Sequence, residues 1–438
     1  MTLAMQAPGA MANGFDAATA GDLPDEMQQL IARRARVLGP AYRLFYREPL
    51  HIVRGKGVWL EDAQGRRYLD LYNNVASVGH AHPAVLDAID RQARQLNTHT
   101  RYLHETILDC AEAILGTMPE ALANIMFTCT GSEANDLALR VAWHRTGAKG
   151  VIVTTNAYHG VTSVVSEISP SLGAGVPRGD HVRIVPAPQG AGDVGAAFAA
   201  GVEAAIADLQ ASGHGVAALI CDTIFSSDGV YADPPGFLAD AVAAVRAAGG
   251  LFIADEVQPG FARTGAAMWG FQRHGLVPDI VTMGKPMGNG QPVAAMAIQP
   301  DVLADFGAKA RYFNTFGGSP VACAAALAVL GVIRDEGLME NSATLGAYLA
   351  DGLRGIAKTS AILGDVRGAG LFVGVDVETD GQPDGPLAAR LVSDLRDRGV
   401  LISATGPDGN VLKIRPPLCI GRAEIDHFLA VIAPLVTS

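Results

Sequence analysis

Residues 279–290 read DIVTMGKPMGNG: a short apolar run that stops at a lysine set among glycines and a proline. The run is continuous rather than alternating and too short for a helix, which predicts a strand buried on both faces of a parallel sheet. Lys285 then stands at the carboxyl end of that strand. A lysine there is either a solvated loop charge or a desolvated amine able to act as a nucleophile.

The same pattern recurs upstream. NIMFTC (124–129), GVIVTT (150–155), AALICDTIF (217–225) and GLFIADEV (250–257) are continuous apolar runs. Between them lie helical patterns, among them EANDLALRVAWHR (133–145) and GFLADAVAAVRAAG (236–249). This alternation predicts an α/β fold with a mostly parallel central sheet flanked by helices. VWLEDAQGRRYLDLY (58–72) predicts a hairpin, residues 26–38 a helix, and the opening through Gly21 a disordered or arm-like segment. Past residue 330 the pattern turns to mixed α+β, with VRGAGLFVGVDV (366–377) and NVLKIRPPLCI (410–420) as strands. The expected division is an arm and part of a small domain over 1–72, a large domain over 73–330, and the rest of the small domain over 331–438. The run Val321 to Ile333 follows Ser319 as N-cap and Pro320 as first helical residue, and predicts a buried core or subunit-interface helix rather than a membrane span.

Composition narrows the partners. A formal net charge of −11 argues against nucleic acid and anionic membranes, which need a positive face, but not against an anionic small molecule. The five cysteines form no C-x-x-C pair, and the first residues carry no secretory pattern, so a cytoplasmic location is expected.

Ligands of open α/β sheets bind beyond the carboxyl ends of the strands. Thr130-Gly131-Ser132-Glu133 follows the first run and opens a helix, where free N–H groups attract an anion. Gly131 permits close approach, and Ser132 can cap the helix or offer a hydroxyl. An ordinary capped turn is an equal reading. Tyr158, in NAYHG, is either a ring platform or a loop aromatic. Asp255 and Glu256 end an apolar strand, where a carboxylate is costly unless a cation answers it or it serves as a cap. A protonated pyridine nitrogen is one such cation. Lys285 follows one crossover unit later, so Asp255 and Lys285 face one crevice. Phosphate cradle, ring platform, pyridinium partner and Schiff-base lysine together are what pyridoxal 5′-phosphate requires.

TGSEANDLALRVAW (130–143), NAYHG (156–160), IADEVQPGFARTG (253–265), DIVTMGKPMGNGQPVAA (279–295), FNTFGGSPVAC (313–323) and LKIRPPLCI (412–420) resemble the class III aminotransferases of PLP fold type I. The resemblance runs from about Tyr42 to the C-terminus. It implies that Lys285 forms the Schiff base, that Asp255 keeps the pyridine nitrogen protonated, and that Gly131 and Ser132 bind the phosphate. It further implies that Tyr158 and Val257 lie on opposite faces of the ring and that Gln258 bonds the ring hydroxyl. Thr315 would reach the phosphate of a neighbouring subunit, which implies a homodimer. Arg415 would grip a substrate carboxylate, and Arg101 is a further candidate for an anionic substrate group.

One segment departs from the family. Many relatives carry Glu-Pro-Ile-x-Gly where this chain has Asp222-Thr-Ile-Phe-Ser226, and that glutamate pairs with a mobile substrate arginine. Asp222 is shorter, so the switch between two substrates is expected to differ. YNNVASVGHAHP (72–83) and LNTHTRYLHETILD (96–109) most resemble the alanine–glyoxylate-like subgroup, which includes phospho-lyases of ethanolamine phosphate and phosphohydroxylysine. The resemblance to those lyases puts lysine at the position of Arg415. The arginine here therefore favours a carboxylate, and with it amino transfer between an amine or amino acid and a 2-oxo acid. Elimination of phosphate and ammonia from a small amino-phosphate is the alternative.

Overall fold

A computed structural model gives the structure, which describes residues 13–190 and 192–437. The part of the arm-like opening before residue 13 lies outside the described residues. Ala17–Asp22, within the same expected arm, is a short 3-10 helix whose cap Asp16 accepts the Ala18 N–H. The helix expected next is Asp25–Leu38, ended at Gly39 with φ +70°.

The central sheet has seven strands in the order Asn124–Thr128, Ala294–Ile298, Ile280–Met283, Leu251–Asp255, Val216–Cys221, Gly150–Thr154, Val182–Val185. Only Ala294–Ile298 runs against its neighbours. Alternate side chains feed two cores: Ala218 and Ile220 pack with the helix Gly131–Thr146, while Leu219 and Cys221 pack with residues of Val194–Ala211 and Ala239–Ala247. Burial on both faces is why these strands read as unbroken apolar runs. Each fully buried Val, Ile or Leu contributes about 1.5–3 kcal/mol.

A smaller α+β part draws on both ends of the chain. Ile52–Lys56, Trp59–Asp62 and Arg67–Asp70 form an antiparallel sheet, and Val400–Leu401 joins it parallel to Arg67–Asp70. A further sheet runs Leu363–Ala369, Phe372–Thr379, Val411–Ile414, Ser403–Thr405.

Several sequence boundaries are corrected. VRGAGLFVGVDV is part of a hairpin, because Gly370 takes φ +54° between two strands. The last strand stops at Ile414, before Pro416 and Pro417, which have no N–H to give. The run at 217–225 stops at Cys221, because the Asp222 carboxylate accepts the Ile224 and Ser226 N–H groups and folds the chain into a turn. The strands Val182–Val185 and Ala294–Ile298 were not foreseen. The link from Asp255 to the next strand is not a full helical crossover; its only helix is Gly270–Arg273. Glu256 organises that link instead. Its carboxylate accepts Thr223 Oγ1 and the N–H groups of Gly270 and Phe271, and burial raises its pKa to about 7 against those bonds. Of the two strand-end acids, Glu256 is therefore the cap.

Candidate active site

The parallel strands Gly150–Thr154, Val216–Cys221, Leu251–Asp255 and Ile280–Met283 end along one edge of the sheet, with Cys221 opposite Ala254 and Asp255 opposite Thr282. A cavity of about 340 Å³ opens there, lined by Gly131, Ser132, Tyr158, Asp222, Asp255, Val257, Gln258 and Lys285, among others.

Lys285 begins a 3-10 turn, Lys285–Gly288, with φ +24°. Such a backbone costs about 1–3 kcal/mol in a non-glycine residue and is held by its surroundings. Burial lowers the Lys285 pKa to about 8; the positive Arg415 adds to the shift, while Asp255 and Asp222 oppose it. The lysine at the end of DIVTMG is thus a desolvated amine on a cavity wall. Its Nζ lies 5.8 Å from the Tyr158 ring centroid.

Asp255 is 4 % exposed. Its Oδ2 accepts from Asn135 Nδ2 at 2.9 Å and faces His159 Nδ1 at 2.7 Å, and its Oδ1 accepts the Val257 N–H at 3.1 Å. Asn135 is fixed in turn: its Oδ1 accepts from Thr282 Oγ1, and its Nδ2 also reaches the His159 carbonyl. Neither Asn135 nor His159 was among the expected site residues. Asn135 is wholly buried on the helix Gly131–Thr146, which its sequence context does not reveal.

That helix is capped by Thr130, not Ser132. Thr130 Oγ1 accepts the Glu133 N–H, and Glu133 returns by accepting the N–H groups of Cys129 and Thr130. The Gly131 and Ser132 N–H groups at the helix N-terminus are left without such a cap, and Ser132 Oγ accepts the Val161 N–H at 3.1 Å. Close approach explains the glycines. A Cβ on Gly160, at φ +137°, would meet Ser132 Oγ at 2.3 Å; one on Gly284 would come within 3.2 Å of the Gly131 nitrogen.

These residues fit pyridoxal phosphate: a backbone anion cradle, an aromatic and a valine on the walls, a buried carboxylate and a low-pKa lysine in one cavity. Gln258 fits as well. Its Oε1 is taken by Asn74 Nδ2 and Arg415, which leaves its amide nitrogen as a donor.

Arg101, Thr315 and Arg415 do not line this cavity in the single chain, and Thr315 was expected at a neighbouring subunit's site rather than at this one. Arg101 stacks on Phe313, its guanidinium carbon 3.7 Å from the ring centroid, outside the cavity. Thr315 is exposed and does not reach the cavity of its own chain. Arg415, 7 % exposed, lines an adjoining cavity rather than this one. Its Nε donates to the Tyr72 carbonyl at 2.6 Å and its Nη1 to Gln258 Oε1 at 2.8 Å. Asp222 lines the first cavity, but its oxygens serve its own turn, including a short bond from Ser226 Oγ, and it makes no ion pair with Arg415.

The family model described as Aminotransferase class-III matches residues 45–436. A Drosophila melanogaster protein named alanine–glyoxylate aminotransferase 2-like is 42 % identical over 92 % of this chain and 85 % of its own length. A Caenorhabditis elegans protein named ethanolamine-phosphate phospho-lyase homolog 1 is 37 % identical over 97 % of each chain. The solved structure of a phospholyase from Arthrobacter in complex with phosphoethanolamine superposes with a TM-score of 0.90 at 48 % identity, covering 92 % of this chain and 98 % of that one.

The lowered pKa of Lys285 has a direct readout. In cofactor-free protein, trinitrobenzenesulfonate labelling of the Lys285 peptide is expected to rise with pH around a midpoint near 8, because the free amine appears at lower pH than in ordinary lysine. Arg415→Met is expected to move that midpoint upward by removing a neighbouring positive charge. A midpoint left at the ordinary lysine value would contradict the desolvated environment.

Proposed function

The chain belongs to the class III aminotransferases, pyridoxal-phosphate enzymes whose relatives here are named both aminotransferase and phospho-lyase, and we propose that within this family it eliminates phosphate from a small amino-phosphate. The observation that carries this reading is the fixed Arg415. An amino-transfer site must accept two different substrates in turn, and the family device for that is an arginine that swings away to an acid. Here Arg415 is tied to the Tyr72 carbonyl and Gln258, and Asp222 is spent on its own turn. A site of one fixed shape suits an elimination, which binds a single amine substrate.

Bound pyridoxal phosphate supplies an electron sink for the carbon next to the substrate nitrogen. Asp255, locked by Asn135, His159 and the Val257 N–H, would hold the proton on the pyridine nitrogen. Gly131 and Ser132 would bind the phosphate, Tyr158 and Val257 the ring faces, and Gln258 the ring hydroxyl. Lys285, with its pKa near 8, removes the proton from the carbon beside the nitrogen. The C–O bond on the next carbon then breaks, and its electron pair leaves with the phosphate. Water converts the remaining enamine to ammonia and an aldehyde, acetaldehyde in the case of ethanolamine phosphate.

Amino transfer uses the same Lys285 proton removal and is the second reading. The residue type at 415, rather than its fixed position, favours it, since a planar guanidinium can grip a carboxylate in two places. The two readings separate cleanly. With ethanolamine phosphate alone, we expect equal amounts of phosphate and ammonia over many turnovers, with no 2-oxo acid present. Conversion of L-alanine to pyruvate only when glyoxylate is added, with no phosphate from ethanolamine phosphate, would overturn elimination in favour of transfer.

We propose that the protein works as a homodimer, with Thr315 completing the phosphate site of its partner. The support is exposed apolar surface on two loops: Leu103 is 98 % and Phe316 72 % exposed in the single chain, and Phe313 beside Thr315 stacks with Arg101. Sedimentation of the loaded enzyme is expected to give a dimer, and Thr315→Ala to weaken cofactor retention. A stable, active monomer would remove Thr315 from the site.

A further inference from the structure

Beside the first cavity lies a second, of about 480 Å³, lined by Asn13, Tyr72, Asn156, Ser403, Lys413 and Arg415, with the exposed Asp408 at its rim, among others. Gln258 lines the first cavity and bonds to Arg415, which lines the second, so the two share a wall.

Its lining is short of partners. Lys413 is 8 % exposed, and among the described residues its Nζ donates only to the Ser226 carbonyl, at 3.1 Å. No carboxylate among the described residues comes within the 4.0 Å of an ion pair with it. The nearby acids are engaged: Asp228 accepts Thr154 Oγ1 and the Asn156 N–H, and Asp222 its own turn. Arg415 uses Nε and Nη1, leaving Nη2 without a protein partner among the described residues. Asn13 Nδ2 and Ser403 Oγ are buried with no hydrogen-bond partner among the described residues. Buried polar groups are normally paired, and buried cations are normally answered by an anion. Here two cations and two orphan donors converge on one space.

We propose that this cavity is the subsite for the phosphate dianion of the substrate, with Lys413, Arg415, Asn13 and Ser403 as its donors. The inference rests on the elimination reading and names the residues that would recognise the leaving group. Charge decides for a dianion over a carboxylate. One arginine answers a carboxylate, whereas two cations and two neutral donors suit a doubly charged group with three free oxygens. Lys413, which burial and the positive Arg415 and Lys285 push toward its neutral form, would recover its charge against such a ligand. The same placement lets the ammonium stabilise the phosphate as the C–O bond breaks.

The test measures binding, not turnover. Cofactor-loaded enzyme is titrated calorimetrically with 3-aminopropylphosphonate, in which a methylene replaces the ester oxygen so that nothing can leave, and with 4-aminobutanoate as its carboxylate counterpart. Lys413→Met and, separately, Ser403→Ala are expected to weaken the phosphonate, by about tenfold or more for the lysine, and to leave the carboxylate little changed. Ser403→Ala keeps the test available should the buried lysine variant fold poorly. Phosphonate affinity that is unchanged in both variants, or that falls by the same factor as the carboxylate, would overturn the subsite. Phosphate release from ethanolamine phosphate is assayed in parallel. Selective loss of the phosphonate without any phosphate release would support the anion subsite while dismissing elimination.

Discussion

Asp255 ends a strand buried on both faces, and its charge must be answered where water cannot reach it. Three neighbours hold it: Asn135 from a helix, His159 from the loop after another strand, and the Val257 N–H from its own chain. The first of these depends on the sheet register that sets Asp255 beside Thr282, because Thr282 Oγ1 donates to Asn135 Oδ1. The same register puts Lys285 just past the end of the neighbouring strand, in the same cavity. The carboxylate is thus positioned by the packing of the parallel sheet, and a cationic ring nitrogen, the partner proposed for it, would offset the cost of its burial. Catalytic geometry and fold stability meet at this residue.

The parts of this arrangement that were legible in the chain are those set by local chemistry. Continuous apolar runs marked the central strands, and the residues just beyond them, Gly131, Tyr158, Asp255 and Lys285, all line one cavity. What stayed hidden depends on long-range contacts. Thr130-x-x-Glu133 is a capping-box pattern legible in the chain, but nothing near Ser132 tells that its hydroxyl accepts the Val161 N–H. Asn135 looks like any helix-surface amide until the sheet closes over it. Glu256 and Asp255 are neighbours of the same type, and only the chain folding back at Gly270 and Phe271 separates the cap from the proposed cofactor partner. Lys413 passed unremarked because alternation in a strand cannot say what lies across from it.

Arg415 shows how position changes the meaning of a residue. In the sequence it reads as a mobile carboxylate clamp. In the fold its guanidinium is pinned between the Tyr72 carbonyl and Gln258, and packs 4.9 Å from the Tyr72 ring. The shorter Asp222 cannot serve both its own turn and a swinging arginine. The positive charge of Arg415 acts at two places at once: it helps depress the Lys285 pKa and, with Lys413, it makes the adjoining cavity electropositive. Binding an anion there would soften the first effect, which would couple substrate charge to the basicity of the lysine proposed to take its proton.

The central claim is that Lys285, of the two lysines near the site, carries the cofactor. Borohydride reduction of the pyridoxal-phosphate-loaded enzyme, followed by peptide mass spectrometry, tests it without assuming any substrate. The phosphopyridoxyl group is expected on the peptide containing Lys285, with the peptide containing Lys413 unmodified. The group on Lys413, or on no lysine at all, would contradict the account of the site.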